Sequence, residues 1–146
     1  MTLKAKKINI KTFNKTVWTY FGIMITYFKD ELQERPWGFW KVEEVGEDFI
    51  KKLVVVRPDS CLSLQSHKHR EENWTIIKGE AEVTLNTQTH ILKTNDTIII
   101  PRQAIHRIKN IGTTELHFYE IQTGDLLDEN DIIRYDDIYG RTTNVK

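Results

Sequence analysis

Hydrophobic and polar positions divide the chain near Glu34. Beyond that point, short segments of strand composition alternate with polar punctuation, and no long helical period appears. The segments are Phe39–Val45, Phe49–Val56, Leu62–His67, Trp74–Lys78, Ala81–Leu85, Thr89–Leu92, Thr97–Ile100, His106–Lys109 and Glu115–Gln122. Between them lie Gly46-Glu47-Asp48, Arg57-Pro58-Asp59-Ser60, Lys78-Gly79-Glu80, Asn86-Thr87, Thr94-Asn95-Asp96, Pro101 and Asn110-Ile111-Gly112. These are turn residues, which either tolerate positive φ or have φ fixed by a ring. Short strands at this spacing predict an all-β sandwich or barrel.

Ahead of the divide, Val17–Phe28 (VWTYFGIMITYF) is a dense apolar run. Its β-branched and aromatic content predicts one or two strands, with a short helix as the competing assignment. It falls short of the roughly 20 apolar residues that span a bilayer, and no small-x-small cleavage site follows, which argues against a membrane span and against secretion. An exposed run of this kind would be adhesive, so residues 1–34 read as an N-terminal extension that packs on the barrel or on a second subunit. At the other end Asp125–Lys146 is acidic and then mixed, and Asp125–Asp131 predicts a short capped helix or a turn.

Composition narrows the function. The 146 residues suit one domain, and 21 basic residues balance 21 acidic ones. The basic excess that would draw the protein to nucleic acid or an anionic membrane is therefore missing, and a small, locally recognised ligand fits better. The single cysteine, Cys61, excludes an intrachain disulfide framework and a Cys-rich zinc cluster. A reducing compartment, the cytoplasm, is the expectation.

The chemistry gathers in Leu62–Gly79 (LSLQSHKHREENWTIIKG). In a strand, residues two apart share a face, so Ser63, Gln65, His67 and His69 would point one way and Leu62 and Leu64 the other. Two imidazoles then converge, and His106 can supply a third from another strand, as an ion that must be surrounded requires. The bland reading is a pair of solvated histidines on a surface strand. His90 and His117 read as surface or packing residues, and Trp37, Trp40 and Trp74 as core or barrel-rim packing rather than sugar platforms. On an uninterrupted strand Asn73, not Glu72, shares the face of the histidines, so Glu72 reaches an ion only if a bulge or corner intervenes.

His67-Lys68-His69-Arg70-Glu71-Glu72 with Gly79, and Pro101-Arg102-Gln103-Ala104-Ile105-His106 with Asn110, resemble the two motifs of the cupin superfamily. Within it the chain is similar to the type II mannose-6-phosphate isomerase domain, which often forms the C-terminal part of a bifunctional isomerase and mannose-1-phosphate guanylyltransferase. The matching pieces are Arg35–Gly38, Leu62–Gln65, His67–Trp74, Gly79–Leu85, Glu120–Gln122, Gly124-Asp125 and Arg134–Arg141. Four positions depart from the pattern: Lys68 and Asn73 stand where histidines are usual, Asp59 and Gln103 where glycines are. The glycine positions imply backbone angles that Gln103 adopts only at a cost.

The resemblance implies a cupin fold, a double-stranded β-helix or jelly-roll barrel, over residues 35–141 with a tail at 142–146. It implies a divalent metal ion, zinc by preference, on His67, His69, Glu72 and His106. It implies isomerisation of mannose 6-phosphate and fructose 6-phosphate, feeding nucleotide-sugar and polysaccharide synthesis. Glu120 would be the proton shuttle, and Arg134 and Arg141 would serve catalysis and bind the phosphate. Gln65, on the metal-facing side of its strand, would hold a sugar hydroxyl or orient a ligand. A homodimer is expected. Two other readings stay open: a non-catalytic sugar-binding or regulatory cupin, and a metal cupin of different chemistry, dioxygenation or epimerisation.

Overall fold

Strand-forming residues separated by turn residues generate fifteen strands among the residues described by the computed structural model, which are 6–8, 17–20 and 22–143. In chain order they are β1 (Lys6–Ile8), β2 (Val17–Tyr20), β3 (Ile23–Ile25), β4 (Leu32–Arg35), β5 (Gly38–Val45), β6 (Phe49–Val56), β7 (Leu64–Ser66) and β8 (Arg70–Lys78). There follow β9 (Ala81–Leu85), β10 (Gln88–Leu92), β11 (Thr97–Ile100), β12 (His106–Asn110), β13 (Leu116–Gly124), β14 (Leu126–Leu127) and β15 (Ile133–Asp136). A six-stranded sheet runs β11-β8-β13-β6-β5-β4 and a five-stranded sheet β10-β9-β12-β7-β15. A smaller sheet, β1-β2-β3-β14, adds the segments from the two ends of the chain. Among the described residues there is no helix long and apolar enough to cross a membrane.

The buried faces of the two large sheets share one core, with Trp74, Ile76 and Phe118 from the first and Val83 and Ile108 from the second. Period-two alternation sets which residues enter it: along β8, Arg70, Glu72, Trp74 and Ile76 are buried while Glu71 and Asn73 are exposed. The inward positions change character along each strand. On β8 the polar Arg70 and Glu72 precede Trp74 and Ile76, on β6 Lys52 precedes Val54 and Val56, on β12 His106 precedes Ile108, and on β13 Glu120 and Gln122 follow Phe118. Because β8, β13 and β6 run antiparallel to their neighbours, their polar inward residues meet at one end of the interior, where His106 of the facing sheet packs against Glu72 and Trp74.

Of Val17–Phe28, two short strands form, and Ile25 and Tyr27 are buried in the shared core; β4 lies at the edge of the six-stranded sheet, so residue 34 falls inside a strand. Residues 1–5, 9–16 and 21 of the N-terminal extension, and 144–146 of the tail, lie outside the described residues. Of the two alternatives for Asp125–Asp131, the turn forms, between β14 and β15. Asp128 closes a turn by accepting the backbone N–H of Asn130, and β15 then pairs with β7, so backbone donors a helix would need are used in the sheet. Gln103 and Asp59, the two positions where the family pattern has glycine, both adopt positive φ, 65° and 58°. The side chains tolerate the left-handed region, and the turns are retained.

Candidate functional site

The segment Leu62–His67 does not continue as one strand. β7 ends at Ser66, and the chain turns a corner through His67, Lys68 and His69 before β8 begins. Asp131 holds that corner. Its carboxylate accepts the backbone N–H groups of Lys68 and His69, both at 2.9 Å, while its carbonyl accepts the Nδ1–H of His67 at 2.7 Å. The corner resets the strand parity. Glu72 consequently faces inward with His67, and Asn73 faces solvent. His69 is carried away from the interior, its side chain 36% exposed and its Nδ1 3.4 Å from the Asp125 carboxylate.

His67, Glu72 and His106 are fully buried and offer ligand atoms all within 4.8 Å of one another. His67 Nε2 lies 3.1 Å from Glu72 Oε1, and His106 Nε2 3.6 Å from Glu72 Oε2. His106 donates its Nδ1–H to the Ala104 carbonyl at 2.9 Å, which aims an unprotonated Nε2 at Glu72 with no hydrogen-bond partner among the described residues. Burial holds its pKa down at about 4, so the imidazole is neutral at neutral pH. Burial alone would raise the Glu72 carboxyl, but His67 and Arg70 hold it well below the usual range. An orphaned buried imidazole nitrogen facing an ionised carboxylate and a second imidazole fits a divalent cation. Arg70 supplies a fixed positive charge beside them. Its Nε donates to Glu72 Oε1 at 2.9 Å, its Nη1 to the Asp128 carbonyl at 2.9 Å, and its Nη2 lies 3.4 Å from His67 Nε2.

Trp74 links this cluster to Glu120. Its indole N–H donates both to Glu72 Oε2 at 3.1 Å and to Glu120 Oε1 at 3.2 Å, and Gln122 donates to the other Glu120 oxygen at 2.8 Å. Burial and the neighbouring Glu72 charge push the Glu120 carboxyl up to about 7, against the opposing pull of Lys52 and Arg70. Glu120 lines a pocket that opens to solvent. Gln65, Arg134 and Arg141 line it too, so four of the residues singled out from the sequence meet there. Arg141 is aligned by Asp137, to which it donates through Nε at 2.7 Å and Nη2 at 3.2 Å. Asp136 pairs instead with Arg107, which leaves Arg134 without an ion pair among the described residues.

The model of the family described as mannose-6-phosphate isomerase C-terminal matches residues 27–137. The chain belongs to this family. Over 112 residues it is 43% identical to the alginate biosynthesis protein AlgA of Pseudomonas fluorescens, covering 77% of this chain and 23% of that one. Over 103 residues it is 47% identical to a mannose-1-phosphate guanylyltransferase of Sinorhizobium fredii, covering 70% of this chain and 20% of that one. The chain thus spans less than a quarter of the length of these curated relatives. Among solved structures, oxalate decarboxylase from Bacillus subtilis superposes with a TM-score of 0.63 at 23% identity, over 72% of this chain and 29% of that one. That likeness establishes the cupin fold.

Within the mannose-6-phosphate isomerase C-terminal family, the two histidine positions occupied here by Lys68 and Asn73 both face solvent, so these departures leave the buried cluster intact. Four residues that line the pocket were given no site role by the sequence reading: Arg35, Lys52, Glu129 and Arg70, the last of which joins the pocket to the cluster. Strand parity was the available signal for two of them. Lys52 falls between Ile50 and Val54 on the inward face of β6, and Arg70 precedes Glu72 and Trp74 on that of β8. Asp131 and Glu129 lie in the acidic turn Asp128–Asp131, where sequence spacing carries no information about distant partners.

Proposed function

We propose that this pocket isomerises a sugar phosphate between its aldose and ketose forms, mannose 6-phosphate and fructose 6-phosphate. The observation that carries the reading is Glu120: a buried carboxylate with a pKa near 7, held by two donors, set between a metal-competent cluster and a pocket rich in arginine. Moving hydrogen between C1 and C2 requires a base that takes the C2 proton next to the carbonyl and returns it to C1, and a carboxylate poised near neutrality can do both. Trp74 and Gln122 hold one Glu120 oxygen each, so the carboxylate keeps its orientation whether or not it carries the proton.

Arg134 and Arg141 are assigned to the phosphate, because guanidinium groups match its oxygens and stay charged when half-buried. Gln65 accepts a hydrogen bond from Ser63 through Oε1 at 2.9 Å, which turns its amide N–H groups toward donation to a sugar hydroxyl. His67, Glu72 and His106 would hold a divalent ion, zinc by preference. Three protein ligands with an open position are the common pattern of catalytic zinc, and His69 is not needed for it. When bound, the ion supplies Lewis-acid polarisation of the substrate carbonyl. The relatives' names, alginate biosynthesis protein and mannose-1-phosphate guanylyltransferase, support a place in polysaccharide and nucleotide-sugar synthesis.

The test is a coupled assay for fructose 6-phosphate formation by metal-loaded protein, with and without chelator. Turnover that the chelator removes is expected. Sugar-phosphate binding without turnover by loaded protein would overturn the isomerase reading in favour of a binding module.

A further inference from the structure

Lys52 is the buried cation that the reading above leaves without a role. It is 2% exposed, it lines the pocket, and the register of β6 against β13 places it directly opposite Glu120. Burying an ammonium group is unfavourable unless partners surround it. Here Nζ donates to the Tyr27 hydroxyl oxygen at 3.1 Å and to Glu129 Oε1, and Tyr27 in turn donates to the same Glu129 oxygen at 2.6 Å. The faces of Trp40 and Tyr27 lie 4.0 Å and 4.3 Å from Nζ. Arg35 holds the other Glu129 oxygen at 3.5 Å. An ammonium has three N–H donors, and the described residues take two of them. The group is thus pinned from three elements with one donor in reserve, on the wall that faces the proposed base.

We propose that Lys52 is a catalytic residue that donates this remaining N–H to the substrate oxygen on which negative charge develops as Glu120 takes the proton, with Glu129 and Tyr27 as positioning residues. This rests on the isomerase reading. A preorganised cation in a dry site stabilises charge that appears only in the transition state, so its removal should lower kcat and leave KM nearly unchanged. Glu129 is the reason for the pairing: it keeps the ammonium aimed while the site is empty.

The experiment compares wild-type, metal-loaded protein with Lys52→Met and with the charge-balanced Lys52→Met/Glu129→Gln, each checked for folding by thermal melting. Turnover is measured alongside calorimetric affinity for fructose 6-phosphate and for a phosphorylated hydroxamate that mimics an enediolate. The expected result for the folded double variant is a loss of about 100-fold or more in kcat, the scale of removing one oxyanion donor. Its affinity for the mimic should fall by a similar factor, with affinity for the sugar phosphate held within about threefold. Wild-type turnover with kcat kept in the double variant would overturn this inference alone, as would equal losses of affinity for both ligands. Failure of both variants to fold would assign Lys52 a structural role and overturn it as well. Absence of wild-type turnover would remove the isomerase reading and this inference with it.

Discussion

The floor and the mouth of the pocket are built on different principles. The floor is Glu120 of β13, which lines the pocket, together with the cluster behind that lining, His67 from the corner before β8, Glu72 from β8 and His106 from β12, all of them buried. The mouth takes Arg35 from the end of β4, Arg134 from β15 and Arg141 from the tail, and the Arg35 and Arg141 side chains keep about a quarter of their surface in water, 25% and 26%. Burial tunes proton affinity at the floor, lowering His106 to about 4 and raising Glu120 to about 7. At the mouth partial exposure keeps permanent charges hydrated until an anion arrives. The floor is suited to moving protons, the mouth to holding charge, and the two can be broken separately.

The largest effect should come from the floor. Chelation, or His106→Ala, is expected to abolish turnover in the coupled assay, with divalent metal restoring the chelated wild type and not the variant at stoichiometric metal. Glu120→Gln should lower kcat by about 10²- to 10⁴-fold with the protein folded and metal content unchanged, the range for loss of a general acid–base. The same variant should melt at a higher temperature than wild type at pH 8. A buried carboxyl whose folded pKa is raised destabilises the fold progressively as pH rises above its unfolded value, and the amide has no proton to lose.

The mouth should respond in binding. Arg134→Met is expected to raise KM by about 10- to 100-fold with kcat little changed, corresponding to one charge-assisted hydrogen bond. A comparable fall in kcat instead would place Arg134 at the reacting end. The pH profile sharpens the contrast further. Glu120 must be ionised to act as base, so with a pKa raised to about 7 the wild-type kcat should fall about tenfold per unit below that pH and level off above it. Arg134→Met should keep this limb. The smallest effect falls between the regions: Asp131→Ala strips two corner N–H groups of their acceptor, which should cost about 1–3 kcal/mol in denaturant unfolding.

Legibility followed the same division. The strands, their turns and the cupin likeness were readable because alternation and turn chemistry are local, and even Gln103 and Asp59 kept the positive φ that their positions imply. Glu120, Arg134 and Arg141 were singled out through the family resemblance and Gln65 through its strand face, and all four line one pocket. His69 marks where spacing stopped helping. Parity along a continuous strand placed it beside His67, whereas the corner held by Asp131 turns it toward Asp125. The acidic stretch Asp125–Asp131, read as a capped helix or a turn, took the turn, with Leu126–Leu127 ahead of it paired to β3.

Taken alone, the sequence determined an all-β cupin of the mannose-6-phosphate isomerase C-terminal kind, with a histidine and carboxylate motif and arginines near its end. Those features depend on periodicity and on residues close in the chain. Only the tertiary structure decided that Glu72 rather than Asn73 faces inward, that His69 stands apart, and that Lys52, Arg70 and Glu129 are buried around Glu120. These outcomes depend on a corner pinned by a residue more than sixty positions away and on antiparallel register that gathers the polar ends of β6, β8 and β13. Distance along the chain carries no record of either.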